Sequence, residues 1–532
     1  MLAAAPFVYR PDVAQTRNVT DAGDQENDRS HVAVVARGGA LTMAGFVASA
    51  GLQFLLVVVV THGVTTAEAG AFFEAVALFM ILSNWGEFGA DTAMVRMIPR
   101  LRALGRGADI PPTVRSGAVP VFCAGILVGV VVVVLAPWLS DAFFSPPQAG
   151  EAATYLRLFG AMLPVASVAT VMLAATRGFA TMTPYVAVQN VGVPLGRVLM
   201  VGAAVLAGGS ALAIGLAWSA PLVCSLVVAL IWYRALVNRD RPAWTGVPRP
   251  TRELAVELWR FAGPRAMAAV FGVTITWFDV LLVGALASTR EAAIYAAISR
   301  LAVVGTYALQ AMGMAVAPQF SELVTLGERV RLDHLYQAST WWMIAVTWPL
   351  YLLLLIFPSV FAGMFGSSYT AGATALAILS AAGLFNLATG NITVLLLMAG
   401  NSMLNMLNAA GSLTINIVLN LILIPRYGMN GAAVAWAASI VANNLAALIQ
   451  VNRLLGQRPF GALYWLVTGG SVGCFGVVAV AGRLVAGETL HTLVAVVVVG
   501  SSLYVLFLWL MRERLELGAL VASFGWRGGR LG

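Results

Sequence analysis

The feature that most constrains this chain is the recurrence, between residues 39 and 511, of apolar stretches long enough to cross a bilayer. A hydrocarbon core of about 30 Å takes roughly 20 mainly apolar residues as a helix rising 1.5 Å per residue. Lipid offers the backbone no hydrogen-bond partners, so a spanning segment must satisfy its own polar groups. The pattern predicts fourteen helices, at about 39–62, 69–95, 116–138, 151–176, 184–207, 211–234, 260–286, 291–317, 338–363, 371–398, 403–425, 429–452, 462–483 and 490–511. A soluble fold is excluded: only 10% of the 532 residues are charged, against about a quarter in soluble domains. The fold class is an all-α polytopic membrane protein.

The formal charge of +8 raises the question of a nucleic-acid partner. Every basic side chain is an arginine, and the arginines crowd into alternate loops. With the N-terminus placed inside, 24 fall on the inner side, among them Arg96, Arg100, Arg102 and Arg106 after the second segment and Arg239, Arg241 and Arg249 after the sixth. Three, Arg290, Arg426 and Arg483, fall outside. This is the positive-inside pattern, so the charge reports orientation. It implies both termini in the cytoplasm of a bacterial-type inner membrane and no nucleic-acid partner.

Cys123, Cys224 and Cys474 each sit in an apolar stretch, while His31, His62, His334 and His491 are scattered. No metal-ligand spacing or nucleophile–base pair emerges, so no catalytic residue, resident metal or cofactor is expected. Residues 1–37 are polar and mixed in charge and read as a disordered cytoplasmic tail.

Laid on itself, the chain repeats at about 220 residues. TTAEAGAFF from Thr65 aligns with STREAAIYA from Ser288, and AWSA at Ala217 with AWAA at Ala435. Six helices recur as six in the same orientation, which predicts two parallel lobes, 38–235 and 260–455, joined by a cytoplasmic linker at 236–259. Segments 456–511 add two helices outside the repeat, and 512–532 a second cytoplasmic tail. Two such lobes leave a cavity between them, the basis for alternating access.

Particular phrases resemble a known group. RFAGPRAMAAVFGVTITWFDVLLVGALASTREAAIYAAISRL from Arg260, LILIPRYGMNGAAVAWAAS from Leu421 and NWGEFGADTAMVRMIPR from Asn84 are similar to polysaccharide exporters of the oligosaccharide flippase type. These form part of the multidrug/oligosaccharidyl-lipid/polysaccharide exporter superfamily. The resemblance, over residues 35–455, implies a flippase carrying a polyprenyl-diphosphate-linked oligosaccharide from the cytoplasmic to the outer leaflet. Glycan-assembly proteins would be its partners.

Ionisable residues within a bilayer are costly and mark candidate sites. Arg197 lies mid-segment, where a guanidinium suits a diphosphate through paired donors. Arg265, nearer the cytoplasmic mouth, and Arg300 complete the substrate-binding candidates. Asp279 and Arg300 lie at similar depths on adjacent segments and are expected to pair. At the repeat offset of 223 their counterparts are Leu56 and Ala77, while Glu74 has Ala297 opposite it. This asymmetry makes Asp279 and Glu74 the candidates for coupling to a proton or Na+. Eight asparagines on segments 10–12 are expected to line the interior or to bond between helices. Two other classes remain open: a cation-coupled drug or metabolite exporter of the same fold, and a membrane-embedded glycan polymerase or glycosyltransferase.

Overall fold

The computed structural model describes residues 44–144, 148–244, 247–512 and 514; the tail read at 1–37 and nearly all of that at 512–532 lie outside the described residues. Among those described, every regular element is a helix, and twelve are long and apolar enough to cross a membrane. The first six are α1 (Ala44–Gly63), α2 (Thr66–Ala103), α3 (Gly107–Phe143), α4 (Ala149–Gly178), α5 (Thr183–Leu206) and α6 (Ala211–Asp240). After a short connection, α7 runs Thr251–Leu286. Then come α8 (Thr289–Leu326), α9 (Arg329–Ile356) and α10 (Ser367–Ala388).

The helical run Ser402–Leu455 has 54 residues, about 81 Å if straight and far more than one crossing needs. Gly428 breaks it, with φ 53° and ψ −138°, a conformation that disfavours any residue with a Cβ. The two arms, α11 (402–427) and α12 (429–455), fold back on each other. Ser412 Oγ donates to the Ser439 carbonyl at 2.9 Å, and Asn408 and Gln450 exchange amide hydrogen bonds of 2.8 and 2.9 Å. The chain ends with α13 (Ala462–Ala486) and α14 (Leu490–Leu510). Among the described residues, counting the hairpin as two crossings and adding α7, whose apolar part is Val270–Leu286, brings the helices able to cross to the fourteen expected. The last pair lies on α9: the Tyr504 hydroxyl donates to the Ala345 carbonyl at 2.9 Å, and Arg483 bonds both the Ile356 carbonyl and Glu488.

The aligned sequence phrases begin α2 and α8 with the same cap. The side chains of Thr65 and Ser288 each accept from the backbone N–H three residues on, satisfying one of the orphan donors of a helix start. Glu68 then reaches back to the Thr65 N–H at 2.7 Å and completes a capping box. Its counterpart Glu291 instead accepts from the Met429 N–H at 2.7 Å, tying α8 to the start of α12.

The two halves of the repeat meet where α2 packs on α7 and α8. Close approach depends on two glycines. The bare Cα of Gly70 sits against the Thr289 carbonyl, and that of Gly284 against the Glu74 carboxylate. At this same end Thr66 and Ser368 share a hydrogen bond of 2.9 Å, and the rings of Phe54 and Phe365 lie 5.4 Å apart. At the opposite end the arginine-bearing connections converge. Buried Asp109 accepts from both the N–H and the Nε of Arg249, at 2.8 and 3.1 Å, and pairs with Arg106 at 2.9 Å. Glu257 of α7 pairs with Arg100 at 2.6 Å and Arg249 at 3.1 Å, and Trp244 covers Gly107.

A methyl group at Gly70 has nowhere to go, since its nearest neighbour would be backbone. Gly70→Ala is expected to cost about 1–3 kcal/mol through overpacking, read as a lower melting temperature of the detergent-solubilised protein. Gly411→Ala, on a helix face with open space beside it, is the matched control and should not lower it.

Candidate functional site

The site begins with a knot of rings in the first half. Phe72, Phe79 and Phe159 crowd around Trp218, which is 1% exposed, with the Phe159 and Phe79 centroids 4.5 and 5.2 Å from its own. Such packing removes the indole's rotational freedom. Over its face lies Arg197 of α5, with Cζ 3.7 Å from the ring centroid and Nε donating to the Trp218 carbonyl at 3.2 Å. The guanidinium is thereby oriented while its terminal nitrogens stay available. Just before it, the residues Val186–Gly192 form a π-helical turn, a distortion often found at functional sites. That turn brings Gln189 and Asn190 to the same wall, with Val186 and Asn190 packed against the bare Cα of Gly45 on α1.

These groups line a cavity of about 290 Å³. From the second half Arg300 of α8 reaches the same cavity, its Cζ 4.0 Å from the Trp277 ring centroid and its Nη2 buried with no hydrogen-bond partner. No carboxylate lines this chamber among the described residues. Two guanidiniums on a wall with no carboxylate are an arrangement chemically able to hold an anion: the donors are desolvated, and each can offer a planar fork to phosphate oxygens.

A second chamber of about 470 Å³ lies within α7, α8 and α10–α12 and shares Gln53, Trp277, Arg300 and Tyr307 with the first as a common wall. Asp279 lines it but is only 2% exposed. Here the expected ion pair gives way to a different arrangement. Asp279 accepts from the Tyr295 hydroxyl at 3.1 Å and from Asn420 Nδ2 at 2.7 Å, and Asn416 supports Asn420 at 3.1 Å. Arg300 points instead to Trp277. Similar depth on neighbouring helices did not bring the two onto facing sides.

The remaining candidates sit apart. Glu74 is fully buried at the α2 seam beside Thr289 and Gly284 and lines neither chamber. Arg265 falls on α7, with its side chain outside the described residues. Of the asparagines, Asn386, Asn405 and Asn443 line the second chamber, whereas Asn408, Asn420 and Asn444 bond between side chains. Trp218, Trp277, Tyr295, Gln53 and the π-turn amides did not stand out in the sequence. A signal for one pair was present: the aligned AWSA and AWAA place Trp218 and Trp436 at equivalent positions, and each lines one chamber.

Comparison with known proteins agrees with this architecture. The chain is 24% identical over 406 residues to the probable low-salt glycan biosynthesis flippase Agl15 of Haloferax volcanii, covering 74% of this chain and 79% of that protein. Its fold matches the lipid II flippase MurJ in an inward closed conformation, with a TM-score of 0.64 at 13% identity over 90% of this chain and 99% of that one. It also matches an inward-facing multidrug resistance MATE family transporter of the MOP superfamily, with a TM-score of 0.58 at 14% identity over 75% and 92%. A family model described as polysaccharide biosynthesis protein covers residues 35–324, more than half of the chain, and the protein is accordingly a member of the polysaccharide biosynthesis protein family.

Proposed function

We propose that the protein is a flippase that carries a polyprenyl-diphosphate-linked oligosaccharide from the cytoplasmic to the outer leaflet, by binding and gating without a covalent step. The observation that carries this reading is the convergence of Arg197 and Arg300, one from each half of the repeat, on a cavity lined by no carboxylate. A diphosphate supplies the counter-charge that the protein withholds there. The likeness to a glycan biosynthesis flippase supports the same cargo class. A cationic drug would be repelled by this pair, which argues against the drug-exporter alternative.

In this reading the two halves alternate between openings on either side, pivoting at the seam of α2 with α7 and α8. The cytoplasmic side is the end carrying the arginine-rich connections, and Arg265 remains a candidate from the sequence for meeting the headgroup on entry. Asp279, hydrogen-bonded by Tyr295 and Asn420, is the coupling group for a proton or Na+; Glu74 at the seam is the second.

The test is reconstitution into vesicles holding a fluorescent polyprenyl-diphosphate oligosaccharide, with transfer read as quenching by a membrane-impermeant reagent. Protein-dependent transfer of this lipid, exceeding that of a cationic dye, is expected. Transfer no faster than in protein-free vesicles would refute the proposal.

A further inference from the structure

The second chamber differs from the first in chemistry, and the difference bears on the glycan. We infer that the α7–α12 chamber is a subsite for uncharged sugars, selecting a glycan whose only strong negative charge is its diphosphate. This rests on the flippase reading and adds the class of sugar to it.

Three observations point the same way. The first is the state of its amides. Asn386 accepts from Asn444 through Oδ1 at 2.8 Å, which leaves its own NH₂ group for the chamber. Asn405 and Asn443 line the same wall and take no side-chain hydrogen bond among the described residues. An amide carries two donors and an acceptor with two lone pairs, and leaving them idle in an apolar setting is unfavourable. Hydroxyl and acetamido groups present the same mixture of donors and acceptors, so these amides can meet them without a charge on either side.

The second observation is aromatic. Trp436 occupies the position equivalent to Trp218, yet the residue equivalent to Arg197, at an offset of 218, is Ile415. Among the described residues no arginine stacks on Trp436, and its largely buried indole presents an apolar edge to the chamber without a cation over it. Rings with a few converging polar groups are the usual makeup of a small-molecule pocket.

The third is charge. Among the described residues, the charged ones lining this chamber are Arg300, on the wall shared with the first chamber, and Asp279. With Arg300 engaged by the diphosphate, no cation among the lining residues is left to neutralise an acidic sugar. An acidic glycan would lose water and gain no partner.

The experiment measures equilibrium binding to the full-length protein in nanodiscs, using three lipids of one polyprenyl length. These are the bare diphosphate, the diphosphate bearing a neutral acetamido disaccharide, and the diphosphate bearing a disaccharide with one uronic acid. Wild type is expected to bind the neutral glycolipid about tenfold tighter than the bare diphosphate, the worth of one or two net hydrogen bonds, and the uronate form at least tenfold weaker than the neutral one. Asn405→Ala combined with Asn443→Ala should bring the neutral glycolipid down to the affinity of the bare lipid while leaving the bare lipid unchanged. Equal binding of the neutral and uronate forms by wild type overturns the inference without any variant, and so does an unchanged neutral-to-bare ratio in the double variant. Both outcomes would leave the flippase reading standing, whereas failure to bind any of the three lipids would sink the two together.

Discussion

Vesicles containing the Arg197→Ala protein should transfer the polyprenyl-diphosphate oligosaccharide at least about a hundredfold more slowly than wild type. The estimate follows from the site. A hydrogen bond to a charged group contributes roughly 1.5–3 kcal/mol, and a guanidinium engages phosphate oxygens through two of them. Losing about 3 kcal/mol alone is a factor of more than a hundred. Arg197→Lys should restore little. An ammonium keeps the charge but has neither the planar face that stacks on Trp218 at 3.7 Å nor the fork. The variant should express and melt like wild type, because Trp218 is held by its ring neighbours and not by the arginine. Wild-type transfer by Arg197→Ala would remove this residue from the site and leave Arg300 to carry the anion alone.

The second large effect is expected at Asp279. With a tenfold gradient of the coupling ion imposed, wild-type vesicles should shift the lipid between leaflets by up to about tenfold for each ion carried. Protons and Na+ are tested separately. Asp279→Asn should abolish that response. Asparagine has the same shape and can still accept from Asn420 and bond Tyr295, so loss of packing would not explain the change. What disappears is the group that binds and releases a cation. If the Asn variant preserved both transport and its gradient dependence, the coupling role would be wrong, and Glu74→Gln would be the next variant to measure in the same way.

These two residues show what the linear chain reveals and what it hides. Depth in the membrane can be read by counting from the end of a helix at 1.5 Å per residue, and counting put Arg197 mid-span and Asp279 and Arg300 at one level. The direction a side chain takes is another matter. Each residue turns the helix by 100°, so it depends on which neighbours a helix packs against, and that is decided by contacts far apart in sequence. Arg300 accordingly turned to Trp277 and Asp279 to Asn420, 141 positions away. The fourteen crossings were legible because lipid imposes a length on each. The π turn at Val186–Gly192 was not: it inserts no residue type that a hydropathy reading would notice, yet it carries two of the first chamber's amides. The tryptophans were in view as part of the repeat, but an aromatic residue in an apolar stretch looks the same whether it faces a cavity or the core.

The paired acids behind the caps of α2 and α8 have a mechanical consequence. Glu68 spends its carboxylate on its own helix start, whereas Glu291 spends the equivalent group on the N–H of Met429. A fitting inherited twice has thus become a local clasp in one copy and a cross-brace in the other. The brace fastens the top of α8 to the hinge between α11 and α12, so Asp279's partner Asn420 and the Arg300-bearing helix are geared to one frame. The start of α2 is held differently, by the Thr66–Ser368 hydrogen bond to α10 and by Gly70 seated on the Thr289 carbonyl, so the two copies of the fitting fasten their helices to different neighbours.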